Sequence, residues 1–397
     1  MIEHLEVNNH RSLRKIVLKP GPITCFIGAN GSGKTNVLEV LELLRATADE
    51  RLAEFVNQRQ GYHSLSWFGA PEGELAYKIR LRVGPRTSAL VLRYELKLAA
   101  SGASYVVAEE FLKPYQTRPG KPAEYIKNVG GRGNLYNVES RGPDKVPSKG
   151  DPGPGPREAF LGHFRAPRYY SIVSRAQEAI RSWSVLSFAR VDTRPGSKVR
   201  SPRTLGENAR LDQDGGNLTD VLGYLQEKRA DVFKEIQRVT GAAFREIEGL
   251  AVRPVVGTSQ WVTRAKVSGA ADEVPIWNLS DGVIRFLCLA VGLVSPESGS
   301  VLILDEPEVG MHPAIAPNVV ELLHAAVEGG GRQIFLATHS ADIVDQLSAR
   351  EVAVVEKAWK SGETTVRPLA TDEDLRGWVE SYRLGELWKE GHLGGRP

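Results

Sequence analysis

Apolar and polar positions follow two rhythms along this chain. Near its start, residues 2–9 (IEHLEVNN) and 15–28 (KIVLKPGPITCFIG) predict two short strands leading into a glycine-rich turn. From residue 33 to about 57 the period becomes helical, with Val37, Leu38, Val40, Leu41, Leu43 and Leu44 recurring at helix spacing. Strict alternation returns in LAYKIRLRV (75–83) and LVLRYELKL (90–98), with YVVAEEFL (105–112) as a weaker third strand. These predict antiparallel strands, joined by turns at 84–88 and 100–104. Glycine and proline crowd 114–156, ending in KGDPGPGP, so this stretch is predicted to be loop or insertion. A helix is predicted near 170–190, a basic proline-containing segment at 194–210, and a helix or helix pair over 217–239. Strands are expected at 244–256 and 259–267. From 274 onward helices and strands alternate, and the strands, such as VLIL at 301–304, are continuous apolar runs. Such runs mark parallel strands buried on both faces. No repeat and no sustained heptads appear. The fold class is therefore α/β, a single domain over 1–397 made of an N-terminal lobe with antiparallel strands (1–112), a Gly/Pro-rich insertion (113–210) and a second lobe (211–397).

Composition excludes several classes. The 397 residues are 41% hydrophobic and 25% charged, ordinary for a globular protein with a sizeable core. The longest apolar stretch, 283–294, contains Arg285 and falls short of the roughly 20 residues a bilayer span needs. The polar, acid-bearing start is unlike a signal peptide. Cys25 and Cys288 sit in apolar runs and read as small buried hydrophobes. A cytoplasmic protein with no membrane contact of its own is expected. Net charge is +3, yet residues 111–210 hold nineteen Lys and Arg against eight Asp and Glu, leaving −8 for the rest. That asymmetry fits a nucleic-acid surface or an ordinary solvated insertion.

The candidate chemistry lies where strands meet helices. Gly28, Ala29, Asn30, Gly31, Ser32, Gly33, Lys34 and Thr35 match G-x-x-x-x-G-K-[ST] between an apolar strand and an amphipathic helix. Glycines there let backbone N–H groups wrap a phosphate, and the helix start adds its positive end. Lys34 would meet the β- and γ-phosphates, Thr35 would offer its hydroxyl to Mg²⁺, and Asn36 follows in the same site. A buried strand carries Asp305 and Glu306 to its C-terminal end, where Asp305 would hold Mg²⁺ and Glu306 would act as general base toward water. His339 ends the next predicted strand, 33 residues after Glu306, and could contact the γ-phosphate. Ser280, Asp281 and Gly282 open an apolar helix, as an anion site, an ordinary cap, or both.

In this order the four elements resemble the ABC ATPase superfamily, and in detail its RecF/SMC-like and OLD-like branch, known from DNA repair and phage defence. IGANGSGKTN, SDGVIRFL, LDEPEVGMHP, LATHSADIV and the C-terminal YRLGELWKEGHLGG carry the likeness. So does HRSL near the start, which nominates Arg11 as a nucleotide contact. The resemblance implies an ABC-type head with a mixed or antiparallel β lobe, and ATP and Mg²⁺ as cofactors. It also implies a homodimer or higher oligomer in which Ser280 and Gly282 touch the γ-phosphate held by Lys34 of another copy. The segment 310–313 resembles the loop between the two sites. The departures are Asp281, where transporters usually carry glycine, and a glutamine loop represented only by Gln58 and Gln60. The 244 residues between Thr35 and Ser280 hold no coiled-coil arm. The stretch after Ser340 is too short for a nuclease domain, which would be a separate chain. The expected function is an ATP-binding, ATP-hydrolysing switch acting on DNA, through the basic insertion, or on an effector partner, in defence or repair. The alternative is the ATP-hydrolysing subunit of a membrane transporter.

Overall fold

The computed structural model describes residues 1–394 apart from 70–72, 85–88, 117–121, 138–140, 147–152, 165–167, 208–209, 297–298, 330 and 372–381. The expected turn at 84–88 and the end of the insertion at 149–156 lie partly outside the described residues. The chain packs as two units. One comprises Met1–Gly21, Gly28–Trp183 and Ala353–Pro368, and the other Pro22–Ile27, Ser184–Val352 and Leu369–Pro397. The expected boundaries at 112 and 210 are not those of the packing. Residues 113–183 belong with the first unit and 184–210 with the second.

The first unit is built on an eight-stranded antiparallel sheet. Its order is Leu13–Leu18, Ile2–His10, Leu75–Val83, Leu90–Ser101, Ser104–Pro114, Ile126–Val129, Arg132–Asn137 and Gly142–Val146. Alternation sends Leu5, Val7, Tyr77, Ile79, Tyr94 and Leu96 to the buried face. The helices Lys34–Ala48, Phe160–His163 and Ser171–Arg181 pack in this unit. The carboxylate of Glu110 is structural: it accepts from the Phe160 and Leu161 amides (2.7 and 2.9 Å) and the Tyr94 hydroxyl (3.0 Å). A hairpin of Val352–Lys357 and Thr364–Pro368, assigned to this unit except for Val352, lays its second strand beside Leu13–Leu18.

The stretch 114–156 is more ordered than its composition predicts, since it adds three strands to the sheet. Gly130 and Gly131, both left-handed (φ 62° and 81°), make the two-residue turn between Ile126–Val129 and Arg132–Asn137. The alternating burial of Ile126 and Asn128 is a real but very short signal. The helix expected over 170–190 ends at Arg181. Ser184–Ser187 is instead a fully buried strand, parallel to Val301–Asp305. Its two serines break the continuous apolar run that marks VLIL, and only Val185 and Leu186 carry the strand signal.

The second unit holds four parallel strands in the order Ser184–Ser187, Val301–Asp305, Gln333–Ala337, Ile23–Ile27. Helices Asp281–Val294 and Ala316–Glu328 pack against them. A three-stranded antiparallel sheet, Ile247–Pro254, Trp261–Val267 and Val274–Pro275, is backed by the helices Leu218–Lys228 and Ala230–Ala243. Cys25 and Cys288 are buried and unbridged, and burial pushes the Cys288 thiol up to about 12. Among the described residues, no helix is long and apolar enough to cross a membrane.

Candidate functional site

Register brings the ends of the parallel strands together. Ser187 pairs with Asp305, Asp305 with Ala337, and Ala337 with Phe26, so one row crosses all four C-terminal ends. Open α/β sheets bind ligands at this edge. From Phe26 the chain runs through Ile27 directly into the glycine loop at Gly28.

The loop itself has a phosphate-binding shape. Gly31 and Gly33 are left-handed (φ 75° and 109°), and the helix Lys34–Ala48 starts at once. At Gly33 a side chain is excluded, because a Cβ would come within 2.5 Å of Thr364 Oγ1 and 2.9 Å of Ser12 Oγ. At Gly28 it would run into the Val355 carbonyl. Lys34 is 5% exposed and donates to the Gly28 and Ala29 carbonyls (2.8 and 3.1 Å), which holds its ammonium inside the loop. The Ser32 hydroxyl oxygen is buried with no hydrogen-bond partner among the described residues. Thr35 faces outward, and Asn30 is exposed. Asn36 donates to Ser12 Oγ (2.8 Å), and Thr364 Oγ1 lies 2.7 Å from Ser12 Oγ and 2.6 Å from the Ser32 carbonyl. A confined cation and an unspent hydroxyl in a glycine loop at a helix start fit a polyphosphate.

On the parallel sheet, Asp305 closes its strand and Glu306 follows in the left-handed region (φ 51°). A residue with a Cβ is strained there, and such strain gathers at functional sites. The Glu306 amide donates to the Ala337 carbonyl (2.9 Å), and its carboxylate lies 3.5 Å from His339 Nε2. Sequence reasoning did not single out Glu308. Its Oε1 accepts from the Thr338 hydroxyl and the His339 amide, both at 2.7 Å, which fixes the strand end that carries the histidine. Burial raises the Glu308 pKa. Among the described residues no group of three or more His, Cys, Asp or Glu could hold a metal ion. That is compatible with Mg²⁺, which takes one or two protein ligands beside phosphate oxygens and water.

Ser280 caps the helix Asp281–Val294, accepting from the Val283 amide (3.4 Å). Gly282 lies against the Gly310 carbonyl, which a Cβ would approach to 3.2 Å. The Asp281 carboxylate is taken by Arg200. Arg200 is 8% exposed and also donates to the carbonyls of Ile276, Trp277 and Leu279 (3.2, 2.9 and 2.8 Å) and of Thr193. One guanidinium thus holds the whole turn before the signature serine.

Arg11 sits at a turn (φ 50°) and pairs with Glu39 of the loop helix while donating to the Ser64 carbonyl (3.1 Å). His10 and Arg59 converge on the same carboxylate, at 3.0 and 2.5 Å. Burial works against charge on Glu39, but the bonds from His10 and Arg11 outweigh it and hold the group well below the usual carboxylate range. The HRSL segment therefore clamps the loop helix, through Arg11 to Glu39 and through Ser12 to Asn36. Gln58 ends the helix Leu52–Gln58 and donates to Glu54 (2.9 Å), while Gln60 is left-handed in the following turn. Some of the cations of 111–210 are spent within the fold. Arg200 is buried, Arg181 pairs with Asp49, and Lys113 and Lys127 share Glu124.

Residues 163–345 match the family described as "AAA domain, putative AbiEii toxin, Type IV TA system", and residues 1–78 match "AAA ATPase domain". The chain is similar to the DNA replication and repair protein RecF of Cutibacterium acnes, 24% identical over 252 residues (62% of this chain and 56% of that protein). Over 44 residues it is 43% identical to an OLD nuclease of Thermus scotoductus, covering 11% of this chain and 8% of that one. It therefore spans less than two thirds of these relatives. In fold it is similar to an SMC head solved with the C-terminal winged-helix domain of ScpA: TM-score 0.54, 15% identity, 92% of this chain and 97% of that one.

Proposed function

This chain is an ABC-class ATPase of the RecF/SMC-like and OLD-like branch, and from that premise we propose that it binds ATP with Mg²⁺, hydrolyses it, and uses the cycle as a switch on DNA. The loop amides and Lys34 hold the β- and γ-phosphates, with Lys34 exchanging the Gly28 and Ala29 carbonyls for phosphate oxygens. Thr35 and Asp305 hold Mg²⁺, which offsets phosphate charge. Glu306 takes the proton of a water whose oxygen bonds to the γ-phosphorus as the bond to the β–γ bridging oxygen breaks, giving ADP and phosphate. His339, oriented through Glu308, contacts the γ-phosphate. Phosphoryl transfer asks mainly for positioning and charge stabilisation. The observation that supports this reading is the row from Ser187 through Asp305 and Ala337 to Phe26, which puts Asp305 on one sheet edge with the end of the strand whose sequence continues into Gly28.

In the full reaction two copies enclose the nucleotides, each lending Ser280 and Gly282 to the phosphates held by the other. DNA is the proposed target because the RecF relative is named for DNA replication and repair. Defence against phage, with a separate effector or nuclease chain, is the proposed setting, in view of the match to the family named for AbiEii. The test is the solution mass of Glu306→Gln with and without ATP–Mg²⁺. The variant should bind ATP, lose turnover about 100-fold or more, and grow to a dimer or larger only with nucleotide. Proven ATP binding with no change in mass would sink the ATP-driven assembly.

A further inference from the structure

One face of the first unit is unusual in its side chains. Trp359, at the tip of the hairpin formed by Val352–Lys357 and Thr364–Pro368, is 98% exposed, and Phe68 is 68% exposed. The two belong to one neighbourhood. The Lys357 ammonium lies 6.0 Å from the Phe68 ring, the Arg14 guanidinium 5.1 Å from the Trp67 ring, and Arg14 also reaches Glu363 of the hairpin at 3.7 Å. Lys357 and Lys360, on either side of Trp359, are both exposed. The tip is held by the Ala358 amide on the Glu363 carbonyl and the Gly362 amide on the Ala358 carbonyl, both at 2.8 Å. A single exposed apolar residue needs no explanation. Two large exposed rings set among cations, one of them on a braced hairpin, are a different matter.

We propose that this face binds single-stranded nucleic acid, with bases stacked on Trp359 and Phe68 and backbone phosphates on Arg14, Lys357 and Lys360. Aromatic rings offer every base a stacking surface, and interleaved cations follow the backbone without reading sequence. A duplex keeps its bases stacked on one another, so only unpaired bases can use both rings. The same hairpin is tied to the phosphate loop by the Thr364 hydroxyl on the Ser32 carbonyl (2.6 Å). Strand binding at the tip therefore acts on the element that braces the nucleotide site. This inference rests on the reading of the chain as a DNA-directed switch and names the surface and the form of nucleic acid.

The test uses the full chain and fluorescein-labelled oligothymidylate, titrated across salt, alongside a blunt duplex of equal length. Wild type should bind the single strand more tightly than the duplex. Trp359→Ala should weaken single-strand binding about tenfold. Replacing Lys357 and Lys360 together by alanine should flatten the log–log salt slope by about 1.4. Turnover of ATP without oligonucleotide should be unchanged in both variants. Undiminished binding by both variants overturns the proposal. If charge reversal within 113–210 abolishes binding while Trp359→Ala leaves it intact, this surface is wrong and the DNA-directed switch stands. If Phe68→Ala raises KM for ATP and spares oligonucleotide binding, the ring serves the nucleotide base and the proposal falls. No binding of either nucleic acid by a turnover-competent wild type overturns both this surface and DNA as the target.

Discussion

Arg200 looks like one more cation in a basic stretch, yet it is buried and spends its guanidinium on four carbonyls and one carboxylate. A lysine keeps the charge but not the planar fork. In the proposed sandwich the turn held by Arg200 acts on the nucleotide of the other copy. Arg200→Lys should therefore lower turnover at saturating ATP about tenfold while leaving ATP affinity at the phosphate loop unchanged. Arg200→Ala should also cost about 3 kcal/mol of stability, read from a denaturant midpoint, because it strands the carbonyls and Asp281. A lysine variant that turns over like wild type would remove Arg200 from the mechanism. Glu308 is comparable: sequence reasoning passed over it, and only its bonds to Thr338 and His339 give it a task. At Glu306 the left-handed backbone adds a separate expectation. Glu306→Gly should lose turnover yet melt no lower than Glu306→Gln, since glycine relieves a conformation that costs a residue with a side chain about 1–2 kcal/mol.

At the scale of elements, the phosphate loop is braced by pieces far away in the chain. The hairpin supplies Thr364 to Ser12 and to the Ser32 carbonyl, and the same threonine lies where a Gly33 side chain would be. Thr364→Val keeps the shape and removes the hydroxyl. It should cost about 1–2 kcal/mol and weaken ATP binding several-fold by calorimetry, because the loop backbone loses a partner that holds its curvature. Unaltered ATP affinity would mean that the loop holds its own shape. The elements legible in sequence were those with a full local signature: the strand, glycine loop and helix at 23–48, the capped helix Asp281–Val294, and the acidic strand Val301–Asp305. The strands at 126–146 and at Ser184–Ser187 were missed because each is only four to six residues long, too short to outweigh the surrounding glycine, proline and helix-compatible residues.

For the molecule as a whole, the cluster of His10, Glu39, Arg11, Arg59 and Tyr77 makes stability depend on pH. Burial depresses the His10 pKa below its ordinary 6.5, and the hydrogen bonds from His10 and Arg11 outweigh burial and depress Glu39 below 4.5. In both cases the unfolded chain binds the proton first as pH falls, so acid favours unfolding. Stability should be full above about pH 6.5, decline as His10 titrates in the unfolded chain, and fall more steeply below 4.5. Glu39→Gln should flatten that lower limb in urea midpoints measured across pH, and an unchanged limb would place the acid sensitivity elsewhere. The sequence alone determined the α/β class, the phosphate loop, the acids at a strand end and the capped serine. Each of those is written in neighbouring residues, because a strand, a turn and a helix start are local events. Tertiary structure decided that Arg200 holds a turn ending at Asp281, 81 positions away, and that Thr364 braces a loop beside Ser12, 352 positions away. It also decided which strands end on one row and which rings stay in water. These depend on how distant segments pack, and no periodicity or motif within a segment carries that information.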